Sequence, residues 1–201
     1  TLSPSSAASD VYKRQIIILL VNTRKGAEMI RRAKKNDIET ISKIYIDSRR
    51  RTYKNILPSD YLNSLTYGQA EKKWTEYLED ENNVILVHLD EAGTITSLAA
   101  SKPYRHLKKC FYLDSLHVLP EFQGKGIGKS LILKTAEFAL ENNYECMAVS
   151  FLRGNDKAEK IYQYLEAIYL NDFISYFDNT SAMSTVFLWK DLPKLISKYS
   201  K

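Results

Sequence analysis

The fold of this chain is decided by residues 118–130, which read Val118-Leu119-Pro120-Glu121-Phe122-Gln123-Gly124-Lys125-Gly126-Ile127-Gly128-Lys129-Ser130. The stretch ends an apolar strand, places three glycines at alternate positions and opens an amphipathic helix. Glycines lack a Cβ, so backbone N–H groups can approach an anion, and a helix N-terminus adds unpaired N–H groups and a partial positive charge. The stretch therefore predicts a phosphate-binding loop between a strand and a helix.

Two common phosphate-binding loops are excluded by their spacing. A P-loop reads G-x-x-x-x-G-K-[ST], and residues 128–130 supply its last three positions, but Gln123 stands where its first glycine is required. The next strand, residues 146–151, carries no carboxylate that could hold magnesium. A dinucleotide fingerprint, G-x-G-x-x-G, also fails, because Lys129 and Leu131 stand where its last glycine would fall.

The spacing Gln123-x-x-Gly126-x-Gly128 is similar to the acetyl-CoA loop, Q/R-x-x-G-x-G/A, of the GNAT superfamily of N-acetyltransferases. Residues 113–122 (LDSLHVLPEF) resemble the strand and proline turn that lead into that loop. Residues 155–162 (NDKAEKIY) resemble the family's helix start N-x-x-A-x-x-[FI]-Y, and residues 52–62 (TYKNILPSDYL) resemble a segment of its bacterial members. Together these motifs identify the chain as similar to a bacterial GNAT N-acetyltransferase.

The resemblance implies an α+β fold, with a mixed, mostly antiparallel sheet of six to seven strands and helices on both faces. Strands are expected near residues 29–33, 83–88, 94–101, 110–118, 146–151, 168–176 and 184–189. Helices are expected after an N-cap at Asp37, from about Ser59, and over residues 67–78, 126–142 and 155–165. Alternation along strand 110–118 predicts one shared face for Tyr112, Asp114, Leu116 and Val118.

The resemblance also implies acetyl-CoA as the acetyl donor. Backbone groups at the end of the strand are expected to pair with the pantetheine arm, namely those of Leu116, His117 and Val118. The loop and helix start are expected to bind the pyrophosphate, namely Gln123, Gly124, Lys125, Gly126, Ile127, Gly128 and Lys129. The two lysines could instead be solvated charges. Asn155 is expected to touch the pantetheine or to order its loop.

Two proton transfers need side chains. Tyr162 is the predicted acid for the departing thiolate, because a tyrosine with a pKa near 10 keeps its proton at neutral pH, although it could simply pack on its helix. Relatives carry a glutamate two residues before Asp114, where this chain has Tyr112, so Asp114 is the candidate base or a binder of the amine. The Val118 N–H is expected to polarise the thioester carbonyl.

Substrate-binding candidates are Arg50, Tyr53 and Tyr61, although aromatic residues there could belong to the core. Two further positions depart from the family. Asn55 stands where relatives have glycine, and asparagine tolerates a left-handed backbone. Glu166 also replaces a glycine, so the helix after Asn155 is expected either to run longer or to end in a strained turn.

Residues 1–28 are predicted to be a non-native leader and to be disordered. Residues 5–15 (SSAASDVYKRQ) resemble a translated sequencing adapter, and residues 25–28 can be encoded by a ribosome-binding run, so Met29 is the predicted start. The apolar run 16–21 is shorter than the roughly 20 residues of a membrane span. Removing the leader removes four basic and two acidic residues, and the net charge falls from +5 to +3. Residues 29–201 then suit one mildly basic domain, with neither nucleic acid nor a membrane as partner.

Cys110 and Cys146 are isolated and lack metal-ligand spacing, so reduced thiols and a cytoplasmic location are expected. The three histidines do not cluster with them, and no metal is predicted. Two functions stay open: direct-attack acetylation of a primary amine on a small molecule, peptide or protein, or a non-catalytic acyl-CoA-binding sensor or regulatory module. The acceptor is not identified by any motif, and the resemblance allows a homodimer.

Overall fold

Seven strands form one mixed sheet in a computed structural model that describes residues 29–200. The predicted leader, residues 1–28, lies outside the described residues. The strands are β1 (Ile30–Arg32), β2 (Val84–Leu89), β3 (Ile95–Pro103), β4 (Cys110–Val118), β5 (Cys146–Leu152), β6 (Ile168–Phe177) and β7 (Thr180–Trp189). Their order is β1-β2-β3-β4-β5-β7-β6, and every pairing except β4 with β5 is antiparallel.

Helices cover both faces of the sheet, and the expected α+β fold is confirmed. They are α1 (Ile38–Thr52), α2 (Ser59–Ser64), α3 (Tyr67–Glu79), α4 (Ile127–Glu141), α5 (Asp156–Tyr164) and α6 (Leu192–Tyr199). α1 and α3 pack on one face through a buried cluster that includes Ile41 and Trp74. α4 and α6 pack on the other face through Leu131 and Leu192. The fold therefore holds the loop before α4 at one end of the sheet.

Three local expectations need correction. Helix α6 was not predicted, although Asp191 caps it by accepting a hydrogen bond from the Lys194 N–H at 2.8 Å. Asp37 stands at the N-cap of α1, but its carboxylate binds Arg31 at 2.6 Å and makes no capping bond to that helix. Asn55 is not among the described residues with a left-handed backbone, so the turn there needs no glycine. For Asp37 and Asp191, a tertiary or local partner decides what the side chain does.

Strand β4 carries a bulge at Asp114. Ala100 of β3 pairs with Ser115, whereas Ser101 pairs with Leu113, so Asp114 has no partner of its own in that register. An inserted residue shifts the two-residue alternation, and side chains beyond it change face.

Residues on either side of the bulge confirm this change of face. Phe111 and Leu113 lie before it and Leu116 after it, yet all three pack towards α4. His117 packs on the opposite face, against Tyr45 of α1. The expectation of one face shared by Tyr112, Asp114, Leu116 and Val118 is therefore wrong, since alternation alone carries no signal for a bulge.

The C-terminal end of α5 is held by a left-handed Glu166. Its φ is 60°, the Ala167 N–H donates to the Tyr162 carbonyl at 2.9 Å, and the Glu166 N–H donates to the Gln163 carbonyl at 2.9 Å. This is a Schellman ending with glutamate at the position that favours glycine. Trp189 also donates its indole N–H to the Leu165 carbonyl at 2.8 Å. The helix therefore ends in a strained turn and does not run on.

Within residues 29–200, no helix combines the length and apolar character needed to cross a membrane.

Candidate active site

A cavity of about 360 Å³ lies where β4, its following loop and the first turns of α4 and α5 meet α1. Most of the predicted site residues line it: Tyr53, Leu116, His117, Val118, Gln123, Gly124, Gly126, Ile127, Gly128, Lys129, Asn155 and Tyr162. Four others do not, namely Arg50, Tyr61, Asp114 and Lys125. The tertiary fold thus brings the strand end, the glycine loop and the two helix starts to one place.

The gap between β4 and β5 provides an open strand edge beside this cavity. The two parallel strands pair only as far as Leu113 with Val149, and β5 then continues against β7. On its other side β4 stays paired with β3, where the Leu119 N–H donates to the Thr96 carbonyl at 3.0 Å. Backbone groups of an antiparallel strand point alternately to its two sides. Those of Leu116 and Val118 therefore point into the gap.

The loop after β4 is shaped by two left-handed glycines. Gly124 has φ 77° and Gly126 has φ 82°, and residues with a Cβ rarely adopt a backbone conformation in this region. Gly126 precedes the first residue of α4, so the unpaired N–H groups of that helix start face the cavity. The Gln123 side chain donates from Nε2 to the Val118 carbonyl at 2.9 Å, which ties the loop to the end of β4.

A second helix start and three cations complete the anion-binding character of the wall. Asn155 caps α5 by accepting a hydrogen bond from the Ala158 N–H at 3.4 Å. Lys129, Arg51 and Lys157 line the cavity, and none of its lining residues among those the structure describes is an aspartate or glutamate. Two helix N-termini and three cations favour a ligand that carries several negative charges. Sequence reasoning missed Arg51 and Lys157, because Arg51 lies in no motif, Lys157 occupies a variable position of the 155–162 motif, and only the packing of α1 and α5 brings them to the cavity.

Tyr162 reaches the cavity from α5 and is otherwise buried. Its ring packs edge-on against Trp189 at 5.7 Å between centroids and lies 5.8 Å from Phe151. Burial, reinforced by Tyr53 and Tyr112, raises the pKa of the Tyr162 hydroxyl well above its ordinary value near 10. The phenol therefore keeps its proton throughout the neutral range.

His117 is among the residues that line the cavity, and its backbone groups point towards β3, as those of Leu119 do. The imidazole packs edge-on against Tyr45, with 5.3 Å between ring centroids. Burial, with the nearby cations Arg49 and Lys73, lowers the pKa of His117 to about 3. The ring is therefore neutral at physiological pH and a weak proton acceptor.

Asp114 lies on the α1 side of β4 and outside the cavity wall. Its Oδ1 pairs with Lys102 Nζ at 2.7 Å, and Oδ2 lies 3.5 Å from the Ser115 hydroxyl. Tyr112, at the position where relatives carry glutamate, hydrogen-bonds the Ser150 hydroxyl. Burial raises the pKa of Tyr112 to about 12, so its phenol also stays protonated. The base candidate is thus held in an ion pair at the edge of the site.

The other three residues outside the wall make contacts elsewhere. Arg50 donates to the carbonyls of Leu62 at 3.2 Å and Leu65 at 2.6 Å, and so holds the connection between α2 and α3. The Tyr61 hydroxyl accepts a hydrogen bond from Arg49 of α1 at 3.3 Å. The Lys125 ammonium lies 4.9 Å from the centre of the Phe122 ring. Arg50 is therefore occupied with structural contacts.

The described residues contain no cluster of three or more histidine, cysteine, aspartate or glutamate side chains placed to hold a metal ion.

Comparisons with known proteins agree with this geometry. A family model described as Acetyltransferase (GNAT) family matches residues 44–166. An uncharacterized N-acetyltransferase of Bacillus subtilis, YuaI, is 36% identical over 128 residues, which are 63% of this chain and 72% of that protein. An uncharacterized N-acetyltransferase of Archaeoglobus fulgidus is 30% identical over 138 residues, which are 66% of this chain and 88% of that protein. A phosphinothricin acetyltransferase from Sinorhizobium meliloti, solved with AcCoA, shares the fold at a TM-score of 0.64 and 16% identity, over 81% of this chain and 87% of that one.

Proposed function

Since the chain belongs to the GNAT acetyltransferase family, we propose that it moves an acetyl group from acetyl-CoA directly to a primary amine of a small molecule, peptide or protein. The observation that carries the proposal is the cavity itself, in which an open strand edge meets two helix N-termini and three cations. A flexible thioester arm with a pyrophosphate at one end matches both features.

The donor's pyrophosphate fits the glycine loop and the first turn of α4. The N–H groups from Gly126 to Lys129 are the unpaired donors of that helix, and the left-handed Gly124 and Gly126 bring them to one side. Lys129 adds charge at the wall. The pantetheine arm would lie along Leu116 and Val118 and take the place that β5 leaves open.

The Val118 N–H would stabilise the negative charge that develops on the thioester oxygen. The Leu119 N–H bonds to Thr96 of β3, so the backbone groups of the preceding residue, Val118, point away from β3 and into the gap. A fixed donor aimed at a developing charge accelerates a reaction because it needs no reorganisation. Holding the amine beside the thioester supplies a further part of the acceleration.

Tyr162 would donate to the departing sulfur. Its raised pKa keeps the proton available but also makes complete transfer to a thiolate, with an ordinary thiol pKa near 8.5, unfavourable. Tyr162 would thus act chiefly by hydrogen bonding to the sulfur as charge builds there. Asp114 would take the ammonium proton through a water on Oδ2, since Lys102 binds Oδ1.

Tyr162→Phe tests the enzyme against the alternative of a non-catalytic acyl-CoA-binding module. The variant should bind acetyl-CoA within about threefold of the wild type by calorimetry, and should lose about 100-fold or more in kcat when thiol release is followed with a panel of amines. Tyr164→Phe is the matched control, because Tyr164 lies on the same helix but is 63% exposed. Tight acetyl-CoA binding by a wild type that acetylates no amine would support the sensor instead.

A further inference from the structure

Arg49 lies in an aromatic box beside the cavity: it is not itself one of the lining residues, but its neighbour Tyr53 is. Tyr45 and Arg49 lie on α1, and Tyr53 is the residue that caps its C-terminal end; the three are spaced by four residues and form one stripe. The Arg49 guanidinium carbon lies 5.3 Å from the ring centre of Tyr45, 5.2 Å from that of Tyr53 and 5.7 Å from that of Phe177 at the end of β6. Three rings from two elements thus surround one cation.

The hydrogen-bonding capacity of this guanidinium is mostly unused. Nη2 donates to the Tyr61 hydroxyl at 3.3 Å, and Nε is buried with no acceptor in the part of the chain that the structure describes. Among the described residues, no carboxylate pairs with Arg49. An arginine offers five N–H donors, and a buried donor without an acceptor is costly. The side chain therefore has donors to spare for an anion.

Other arginines of the chain show what a purely structural role looks like. Arg50, the next residue, satisfies its donors on two backbone carbonyls. Arg31 binds both oxygens of Asp37, at 2.6 and 3.0 Å, and Arg153 binds Asp172 at 2.5 Å. Arg31 and Arg153 each pair with a carboxylate and Arg50 has two acceptors, whereas Arg49 has one acceptor, the Tyr61 hydroxyl, and no carboxylate among the described residues.

The box adjoins the place where the acetyl group would be transferred. Tyr53 packs on Arg49 and also lines the cavity together with Tyr162. The positive charge of Arg49 contributes to the lowered pKa of His117, another residue of the wall. The donor's binding elements, the loop before α4 and the start of α5, lie elsewhere in the wall, so the α1 stripe is free for the acceptor.

We propose that Arg49 binds a carboxylate of the acceptor, so that the substrate is an amine that also carries a carboxylate, as amino acids do. A planar guanidinium can bind both oxygens of a carboxylate through parallel N–H bonds, and the surrounding rings exclude water and strengthen the pair. Arg49 would take no part in the transfer itself and would hold the acceptor with its amine towards the cavity. This inference rests on the proposed function for the nature of the transferred group.

Matched pairs of amines test the assignment. Each amino acid of a panel is compared with its decarboxylated amine, for example lysine with 1,5-diaminopentane and 4-aminobutyrate with propylamine. Acetylation is followed by thiol release, and binding to the CoA-saturated protein is followed by calorimetry. The variants are Arg49→Gln and Arg49→Lys. Arg32→Gln is the control for loss of one positive charge, because Arg32 is exposed and packs on Phe138, away from the cavity.

We expect at least one carboxylated amine to be preferred over its partner by tenfold or more in kcat/KM or in Kd. Arg49→Gln should abolish the preference, Arg49→Lys should retain part of it, and Arg32→Gln should leave it unchanged. Equal preference in wild type and Arg49→Gln, no preference for carboxylated amines, or no binding of any pair would overturn the assignment. Carboxylate-dependent binding without acetylation would refute the proposed function but uphold the role of Arg49. Acetylation at equal rates with and without the carboxylate would uphold the proposed function but refute the role of Arg49.

Discussion

Replacing Gly126 by alanine should destabilise the protein, whereas the same substitution two residues later, at Gly128, should not. Gly126 has φ +82°, and an alanine there would be strained by about 1–2 kcal/mol. An added Cβ at Gly126 would meet nothing within 4 Å, so no new packing would offset the strain. The cost of Gly126→Ala therefore comes from the backbone alone.

Gly128 lies inside the first turn of α4 with an ordinary helical backbone. An added Cβ would lie 3.6 Å from Ile161 Cδ1 and 3.8 Å from Val118 Cγ2, which is normal van der Waals contact. Alanine has the higher helix propensity, so Gly128→Ala should be neutral or stabilising by up to about 1 kcal/mol. The two variants should thus differ in free energy of unfolding by about 1–3 kcal/mol.

Urea denaturation of both variants and of the wild type measures this difference, and calorimetry measures acetyl-CoA binding. Gly126→Ala should also weaken acetyl-CoA about tenfold, because the N–H groups of the helix start would turn away from the ligand. Gly128→Ala should bind within about threefold of the wild type. Equal stabilities, or a less stable Gly128→Ala, would refute the assignment of the left-handed position and with it the geometry of the loop.

Three further predictions concern stability and assembly. Burial places the pKa of His117 near 3 in the folded state, below its unfolded value near 6.5, so the folded state binds fewer protons between these pH values. The free energy of unfolding should therefore fall as the pH drops from 6.5 towards 3, by at most about 1.4 kcal/mol per pH unit. His117→Phe should show a shallower pH dependence in urea titrations, and identical slopes would contradict the buried imidazole. Glu166→Gly should raise the melting temperature by about 2–4 °C in calorimetric scans, because a φ of 60° suits glycine. A melting temperature below that of the wild type would mean that the ion pair of Glu166 with Lys198 contributes more to stability than the backbone strain costs. The homodimer that the family resemblance allows stays a prediction, and it is supported by β6, an edge strand with exposed apolar side chains. Sedimentation should show twice the 23.2 kDa chain mass, and Ile174→Lys should shift the protein to the monomer. A monomeric wild type would rule the dimer out.

Much of the fold follows from local sequence. Strand 110–118, the glycine loop and the helix after it were predicted at almost their observed bounds, because apolar periodicity and glycine act over a few residues. The bulge at Asp114 carried no such signal, since it depends on how β3 and β4 align, and it moved Leu116 to the opposite face from Asp114. Helix α6 does carry local signals in the sequence, namely the capping Asp191 and a proline in its first turn.

The sequence by itself determined the family, the α+β fold class it implies and the loop that offers its N–H groups to an anion, because short motifs encode backbone conformation. Only the tertiary structure decided which side chains share the cavity. It paired Asp114 with Lys102, brought Arg51 and Lys157 to the wall, and left Arg49 among aromatic rings with no carboxylate partner within residues 29–200. Such outcomes depend on distances between elements far apart in the chain, and no pattern within one element records them.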